Sequence, residues 1–406
     1  MNKILIYTEK ITPRIQYIFE FILNEFSGLE LSFTDDISFF LASETPKINY
    51  SNTMISDEIQ LSIDPFLYTE EISTEIRFSE LNEVGKIFFA LSRYEEYLPQ
   101  EKDQHGRISG KGKVYKTPFI DKWILEFQQK LKEKYPQLLF KKRTFELVVT
   151  CDVDQTWKYK NKGFKRTCGG FLRDLINVDY SEFSKRIRVI FGDEKDPYDT
   201  FDYFKQLKEK YHFQMIFFWL MADYDTFDKN NPVTNTHFQN KIKEVSRWAT
   251  FGIHPSYAST NQPEKLDLEI NRLQNVMNDS IDKSRQHYIK LNLPKTYYNL
   301  IQKGITEDYT MAYADETGFR AGTTTPFFWY DLENEAQTNL KVYPFCTMDV
   351  SMRNYMGLSI NESINEVQRL KSEIQKVNGQ MVVLFHNSNL NDDWNGWSEV
   401  VESLFK

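Results

Sequence analysis

Two acidic residues follow a β-branched run in the stretch VVTCDVDQTW, residues 148–157. The run predicts a buried strand, and residues two positions apart in a strand share one face, which would place Asp152 and Asp154 side by side. Two close carboxylates repel each other unless a cation, a proton or an arginine separates them. The pair therefore indicates either an acidic turn at a strand end or part of a cation site.

Other side chains able to do chemistry follow further predicted strands. In parallel α/β folds the loops after the strands converge at one edge of the sheet, and catalytic groups lie there. Three of the six histidines fall at such positions, together with acids and arginines. The full set is Asp152, Asp154, His254, Arg285, His287, Arg320, Asp349, His386 and Asn387. A single histidine at a strand end is usually a packed core residue, but three with a paired acid favour a site.

Acids and histidines without cysteine are the ligand set that suits zinc or another divalent transition metal. Such an ion acidifies bound water and polarises a carbonyl, so the predicted reaction is metal-assisted hydrolysis. Either Asp152 or Asp154 would bind the ion while the other takes a proton from water, and a histidine across the cleft would protonate the leaving group. The three cysteines form no C-x-x-C pair and indicate neither a disulfide framework nor a thiolate zinc site.

The length of 406 residues suits two domains, or one large barrel with a substantial attachment. After about residue 140, strand-like and helix-like segments alternate, which predicts a mainly parallel α/β sheet or barrel. The charged segment KLKEKYPQLLFKKR before that point is the predicted linker. We therefore expect a smaller N-terminal α/β domain over 1–140 and a second domain over 141–406.

Composition restricts the partners and the compartment. The net charge of −8 argues against a general nucleic-acid binder. The N-terminus has only a four-residue apolar run, and no stretch approaches the roughly 18 apolar residues of a membrane span. Cysteines outside any framework fit reduced thiols. We expect a cytoplasmic protein without a signal peptide or a transmembrane segment.

The order of these motifs resembles the NodB-homology polysaccharide deacetylases over about residues 145–406. The stretch TCDVD, residues 150–154, looks like the family's T-x-D-x-D motif. GIHPSYAS aligns His254 with the first histidine of its H-S/T-x-x-H motif, SRQHYIKL offers Arg285 as its arginine, and LFHN places His386 in its L-x-H motif. The resemblance implies a distorted (β/α)7 barrel that removes N- or O-acyl groups from saccharides or glycan precursors.

The resemblance also implies a role for each matching residue. Asp154 and His254 would bind a divalent metal, with zinc expected. The catalytic set would be Asp152 as general base, Arg285 or Arg320 holding it, His386 as general acid, and Asp349 orienting His386.

One position departs from the family pattern. The second histidine of the metal motif is replaced by Ala258, and His287, at the end of another predicted strand, would restore a third ligand. Otherwise the ion is bound weakly or not at all. The domain would then be a metal-free amidohydrolase acting on a small molecule, or a degraded domain that binds a glycan or serves as a scaffold.

Aromatic residues make up 15% of the chain and either fill cores or line flat sugar-binding clefts. The loop GFRAGTTTPFFWYDL presents an arginine between glycines, followed by a possible stacking wall, or else it is a surface loop with an apolar anchor. The predicted saccharide contacts are Trp157, Tyr257, Phe327 and Trp329.

The N-terminal region resembles a small α/β module that precedes deacetylase-like domains in a group of bacterial proteins. The resemblance rests on LSRYEEYLP and the downstream DQHGR. Arg93, Glu95 and Glu96 lie at the end of a predicted helix and are expected to form an ion-pair cluster that docks the two domains.

Overall fold

A computed structural model describes residues 2–55 and 58–406 of the chain. Its strands fall into two sheets on either side of residue 140. The strands are β1 (Lys3–Tyr7), β2 (Glu30–Thr34), β3 (Lys47–Tyr50), β4 (Ile59–Leu61), β5 (Glu146–Val153), β6 (Gln214–Trp219), β7 (Thr250–Ile253), β8 (Lys283–Ser284), β9 (Glu307–Asp308), β10 (Phe327–Asp331), β11 (Ala336–Val342), β12 (Thr347–Met348) and β13 (Gln380–His386).

Helices connect most of these strands. The α-helices are α1 (Pro13–Phe19), α2 (Ile37–Ala42), α3 (Glu83–Ser92), α4 (Phe119–Lys134), α5 (Phe164–Ile176), α6 (Tyr180–Phe191), α7 (Phe201–Tyr211), α8 (Thr236–Val245), α9 (Pro263–Met277), α10 (Lys295–Gln302), α11 (Ile360–Gln375) and α12 (Trp397–Ser403). Short 3₁₀ segments span Pro65–Tyr68, Phe78–Glu80, Tyr94–Tyr97, His287–Ile289, Asn387–Leu390 and Asp392–Trp394, and π-helical turns span Glu20–Glu25 and Ser351–Tyr355.

The strands before residue 140 form a parallel sheet in the order β2-β1-β3-β4. In the described part of the chain after residue 140, eight neighbouring strands run parallel in the order β12-β13-β5-β6-β7-β8-β9-β11, followed by the antiparallel edge strand β10. The chain is therefore a mixed α/β protein built on parallel sheets, and the expected alternation of strands and helices is present.

The central strands of the larger sheet are nearly continuous apolar runs, such as QMIFFW in β6 and QMVVLF in β13. Strands of this type are buried on both faces, as is typical of parallel sheets covered by helices. The C-terminal ends of β5 and β13 carry polar side chains, and the register pairs Asp152 with His386 there. The sheet thus brings an acid and a histidine together at its carboxyl edge.

The N-terminal unit packs against β10 through aromatic side chains. The Tyr17 hydroxyl donates to the Phe328 carbonyl at 2.8 Å, and the Tyr17 and Tyr330 ring centroids are 4.8 Å apart. Phe327 and Trp329 lie fully buried in this region, with Trp329 packed on Tyr297. The prediction that these two residues form a saccharide-stacking wall is wrong, because β10 is a strand whose aromatic side chains are taken up by the core.

Arg320 lies at the same junction. Its guanidinium contacts both carboxylate oxygens of Glu96, at 2.8 and 2.7 Å, and donates to the Ala312 carbonyl at 2.8 Å. Arg93 contacts the same carboxylate at 2.9 Å and donates to the Arg320 carbonyl. The suggestion that Arg320 holds Asp152 is therefore corrected, since its nitrogen atoms are engaged by a buried ion-pair cluster between the two units.

Candidate active site

Three potential metal ligands converge where β5, β7 and β8 end. The His254 Nε2 atom lies 3.3 Å from the Asp154 Oδ1 atom, and the His287 Nε2 atom lies 3.5 Å from the same oxygen. One ligand atom from each of the three residues lies within 4.8 Å of the others. Asp154 Oδ1 and His254 Nε2 are buried, and neither has a hydrogen-bond partner among the described residues. This oxygen and nitrogen set fits a cation such as zinc.

The remaining nitrogen of each histidine ring is fixed by a hydrogen bond. His254 Nδ1 donates to the Arg285 carbonyl at 2.6 Å, and His287 Nδ1 donates to the Asp228 carboxylate at 2.8 Å. In a neutral imidazole, donation from Nδ1 leaves the Nε2 lone pair free to bind a metal. Both rings are thus held in the tautomer that a metal ligand needs.

Asp228 is a functional candidate that the sequence analysis missed. It is buried, and it accepts backbone N–H groups of Tyr257 at 2.9 Å and of Ala258 at 3.4 Å besides the His287 ring. The chain segment with alanine in place of a second histidine therefore helps hold the carboxylate that orients His287. No strand precedes Asp228 directly, so its position carries no strand-end signal in the sequence.

Burial and charge act in opposite directions on these ligands. Burial lowers the pKa of His287, but the nearby carboxylates of Asp154 and Asp228 outweigh it and raise that pKa to about 10. Burial raises the pKa of Asp154, but His287 and the contact with His254 hold it well below its ordinary range. The surroundings therefore favour positive charge at the point where the three ligands meet.

The second acid of the pair, Asp152, is buried beside Arg285. The Arg285 Nη1 atom lies 3.4 Å from Asp152 Oδ1, and the Nε atom donates to the Tyr309 carbonyl at 2.9 Å. The guanidinium is stacked between the rings of Phe218 and Phe345, each 4.9 Å away. Its Nη2 atom has no hydrogen-bond partner among the described residues. Asp152 thus has a fixed cationic neighbour and lies 3.6 Å from His254 Nε2.

His386 lies on the other side of Asp152 and is oriented by Asp349. The His386 Nδ1 atom donates to Asp349 Oδ1 at 2.8 Å, and the His386 backbone N–H donates to Oδ2 at 2.9 Å. Asn389 also donates to Oδ2 at 3.0 Å. Burial lowers the pKa of His386, but the Asp349 carboxylate outweighs it and raises that pKa to about 9. This ring is therefore a proton carrier in its charged form.

Strand β8 is shorter than expected and ends at Ser284, so His287 begins a 3₁₀ segment after the strand. Tyr288 and Ile289 have φ angles of 61° and 54°, in the left-handed region that non-glycine residues rarely adopt. Such strain is commonly held at functional sites by surrounding contacts. The turn directs His287 toward Asp154 while Tyr288 and Ile289 line the cavity.

Arg107 of the N-terminal unit supports this turn. Its Nη1 atom donates to the Tyr288 carbonyl at 2.8 Å and its Nη2 atom donates to the Tyr355 hydroxyl at 2.9 Å. Asp103 pairs with the same guanidinium at 2.7 Å. Arg107 belongs to the DQHGR stretch, so the N-terminal unit contributes a side chain to the site. Arg107 and Tyr288 are 181 positions apart in the sequence.

The cavity above these residues has a volume of about 430 Å³. Its floor is polar, and the aromatic rings of Phe227, Tyr288 and Tyr355 stand in its wall. The volume lies within the range of sites for one small ligand, about 300–1,000 Å³. The full lining is Arg107, Asp152, Asp154, Gln155, Phe227, Lys229, His254, His287, Tyr288, Ile289, Met348, Val350, Asn354, Tyr355 and His386.

The other two predicted saccharide contacts lie outside this lining. Trp157 is buried, and its indole nitrogen donates to Asp199 at 3.3 Å, so its ring is part of the core. Tyr257 contacts the wall through Phe227, with ring centroids 4.2 Å apart. Of the aromatic residues that do line the cavity, Tyr288 directly follows His287, whereas Phe227 and Tyr355 lie away from any predicted strand end.

A family of unknown function, DUF7033, matches residues 4–136. No curated protein is similar in sequence to the chain. None of the helices in the described part of the chain has the length and apolar character required to cross a membrane.

Polysaccharide deacetylases are among the solved structures that this chain matches. A candidate polysaccharide deacetylase from Mycobacterium smegmatis has 13% identity and a TM-score of 0.41, and the match covers 65% of this chain and 83% of that one. A polysaccharide deacetylase from Bacillus cereus has 12% identity and a TM-score of 0.33, covering 65% and 85%. A CE4 family pseudoenzyme from Bacillus anthracis has 8% identity and a TM-score of 0.31, covering 64% and 61%. These sequence identities and TM-scores are low, so they assign no chemistry to this chain.

Proposed function

We propose that this protein is a metal-dependent hydrolase that removes an N- or O-acetyl group from a saccharide or glycan precursor. The observation that carries the proposal is the convergence of Asp154, His254 and His287 at one buried point, flanked by Asp152 and His386. Two of the three ligand atoms have no hydrogen-bond partner among the described residues. Buried polar atoms without partners are rare in folded proteins, and a bound cation would satisfy these two.

The carboxylate of Asp154 and the Nε2 atoms of His254 and His287 would hold the metal. When bound, a zinc ion there would supply Lewis acidity that activates water and polarises an acyl carbonyl. The backbone carbonyl of Arg285 and the carboxylate of Asp228 keep the two rings in the correct tautomer. In this arrangement His287 takes the place of the family's second histidine.

The proton transfers fall to residues on either side. Asp152, which lies 3.4 Å from Arg285 Nη1, accepts a proton from the attacking water. His386, oriented by Asp349, donates a proton to the departing amine or alcohol. A base and an acid flanking the same point are the pair that hydrolysis of an amide or ester needs.

We also propose that the larger sheet closes into a distorted (β/α)7 barrel. One buried cluster joins residues of β5, β6, β12 and β13 with residues just after β9, including Val148, Phe218, Tyr309, Met348 and Val382. The Phe345 N–H donates to the Met311 carbonyl after β9, and the Cys346 N–H donates to the Val382 carbonyl of β13. The segment between β11 and β12 therefore spans the gap between the two ends of the run of parallel strands. A shared interior of this kind supports a closed barrel.

A saccharide substrate is supported by the cavity wall. The rings of Phe227, Tyr288 and Tyr355 offer flat apolar surfaces beside polar groups, which is the combination that sugar rings require. A non-catalytic glycan-binding domain is the second candidate, and Ala258 favours it because one usual ligand is missing. The two candidates differ in whether the metal is bound and whether acetate is released.

The first test is metal content by mass spectrometry on the purified protein, for wild type and for His254→Ala, His287→Ala and His237→Ala. His237 is exposed at the start of α8 and serves as the matched control. We expect near-stoichiometric transition metal in wild type and in the control, with loss in both ligand variants. Acetate release from N- and O-acetylated oligosaccharides should follow the metal.

Two results would count against the proposal. Folded wild type that holds no metal after zinc resupply would remove the metal-dependent mechanism. Metal without acetate release across both substrate classes would favour the glycan-binding alternative.

A further inference from the structure

A helical hairpin beside the site carries an apolar surface that no other part of the described chain covers. The 164–191 hairpin consists of α5, a short turn and α6, inserted after β5. Its inner face is well packed. Arg186 and Asp174 form a buried ion pair with a distance of 2.7 Å, and the Phe171 and Phe183 rings are 5.3 Å apart. The hairpin therefore has a definite inner face, and what it leaves outside is a fixed surface.

The outer face of α5 is apolar along its whole length. Positions 164, 168, 172 and 175 share one side of the helix at intervals of four, four and three residues. In this row Phe164 is 84% exposed, Leu172 58% and Leu175 51%, and the adjacent Ile176 is 69% exposed. Large apolar side chains at this exposure normally occur singly on a protein surface, so a continuous row indicates a binding surface.

The turn and α6 extend the same surface. Val178 is 62% exposed and has a φ of 56°, an unfavourable angle for a β-branched residue that holds it outward in the turn. On α6, Tyr180, Ile187 and Phe191 again share one side, and Phe191 is 75% exposed. The hairpin thus presents one apolar ridge on α5 and one on α6, and the apolar tip at Val178 joins them.

Charge distinguishes between possible occupants. The 164–191 hairpin holds six Lys and Arg residues against three Asp and Glu, a net charge of +3, within a chain whose net charge is −8. Lys165, Arg173 and Arg188 are exposed next to the ridges. Two copies of this surface would repel each other, and a nucleic acid offers no apolar layer for the ridges. A surface that combines exposed aromatic and aliphatic side chains with basic residues is suited to the interface of an anionic lipid bilayer.

We propose that the 164–191 hairpin docks this protein on an anionic lipid surface. The apolar ridges enter the boundary between headgroups and acyl chains while the basic residues contact lipid phosphates. The hairpin also contacts residues of the cavity lining. Lys162, just before it, donates to Gln155 at 2.6 Å, and Arg166 donates to the Lys229 carbonyl at 2.9 Å. Docking would therefore bring the mouth of the cavity close to the lipid surface, whatever reaction occurs inside.

The test is flotation of the purified full chain with vesicles of phosphatidylcholine alone and of phosphatidylcholine with phosphatidylglycerol. We expect binding to the anionic vesicles that exceeds binding to the neutral ones by about tenfold or more and weakens in high salt. The triple variant Phe164→Ser, Ile176→Ser, Phe191→Ser should lose binding by about tenfold or more. The triple variant Lys165→Ala, Arg173→Ala, Arg188→Ala should lose the preference for anionic vesicles.

The matched control is Phe39→Ser, Met54→Ser, Leu139→Ser, which removes three comparably exposed apolar side chains from the N-terminal unit. It should bind vesicles like wild type, and circular dichroism should show that all variants are folded. Wild type that ignores anionic vesicles would overturn the proposal, as would equal loss in the control. If light scattering shows that wild type is a dimer and that the triple variant Phe164→Ser, Ile176→Ser, Phe191→Ser is a monomer, the surface serves self-association and the lipid proposal is overturned. None of these readouts depends on hydrolysis.

Discussion

Two buried arginine–carboxylate arrangements lie in this protein, and they differ in how completely their polar atoms are satisfied. At the junction with the N-terminal unit, Glu96 receives close contacts from both Arg320 and Arg93, at 2.7 to 2.9 Å. In the site, Arg285 approaches Asp152 only to 3.4 Å, and its Nη2 atom has no hydrogen-bond partner among the described residues.

This difference indicates that Glu96 has a structural role and that Asp152 is available for catalysis. A carboxylate whose oxygens are filled by two guanidinium groups has no capacity to accept a proton from a substrate, and its role is to hold two parts of the fold together. Asp152 keeps an oxygen near His254 Nε2 and its register position beside His386. Incomplete satisfaction of buried polar groups is costly for stability and is tolerated where a ligand completes the set.

The largest expected effect is on turnover. Asp152→Asn should lower the rate of acetate release by up to about 10⁴-fold, because it removes the proposed general base. Its free energy of unfolding should change less than that of a Glu96 variant, since Arg285 keeps its bonds to Thr150 and Tyr309. Initial rates and urea unfolding on the same preparation check both parts. A variant that retains wild-type turnover would remove Asp152 from the mechanism.

The second effect is on stability. Glu96→Gln removes the negative charge shared by the buried Arg93 and Arg320, leaves Arg93 only its ion pair with Glu95, and should cost about 3–5 kcal/mol in the free energy of unfolding. Metal content per folded molecule should stay unchanged. Urea unfolding and metal analysis measure the two quantities, and Glu80→Gln, at an exposed position before α3, is the matched control. Loss of metal without loss of stability would contradict a purely structural role for Glu96.

The third effect is acid sensitivity. Burial alone would raise the pKa of Glu96, but Arg320 and Arg93 outweigh it and lower that pKa from 4.5 to about 2. Because the folded-state pKa is depressed, its stabilisation is complete above about pH 4.5 and is lost as pH falls toward 2. The amount is about 3 kcal/mol. Urea unfolding at a series of pH values should show this loss in wild type and a shallower dependence in Glu96→Gln. Equal slopes would mean that other carboxylates govern acid unfolding.

The fourth effect concerns the residue that orients His287. Asp228→Asn should weaken metal binding by about 10–100-fold, since substitutions of such hydrogen-bond partners have that typical cost. Competition with a chelator measures the affinity. Asp225→Asn, an exposed neighbour in the same loop, should leave the affinity unchanged. Unaltered affinity in Asp228→Asn would indicate that His287 is not a ligand.

The smallest effect tests the contribution of the N-terminal unit. Arg107→Met removes the donors to the Tyr288 carbonyl and the Tyr355 hydroxyl, and should cost about 1–2 kcal/mol in stability. We expect an increased KM with a smaller change in kcat, because Tyr288 and Tyr355 line the cavity. Lys111→Met, on an exposed turn of the same loop, is the control. A change in kcat alone would place the contribution of Arg107 elsewhere.

The sequence by itself determined which segments form strands followed by polar side chains, although β8 ends earlier than the sequence predicts. Apolar runs such as those before Asp152 and His386 form parallel strands through local pattern, and parallel strands bring their ends to one edge, so Asp154, His254 and His287 could be grouped from the sequence. Only the tertiary structure decided what each charged or aromatic side chain meets. Arg320 contacts Glu96 across 224 positions, and Arg107 contacts Tyr288 across 181. Trp329 is enclosed by Tyr297 and Tyr298. The hydrophobic periodicity of a segment predicts whether it forms a helix or a strand. The partner of a buried polar group depends instead on which distant segments pack against it.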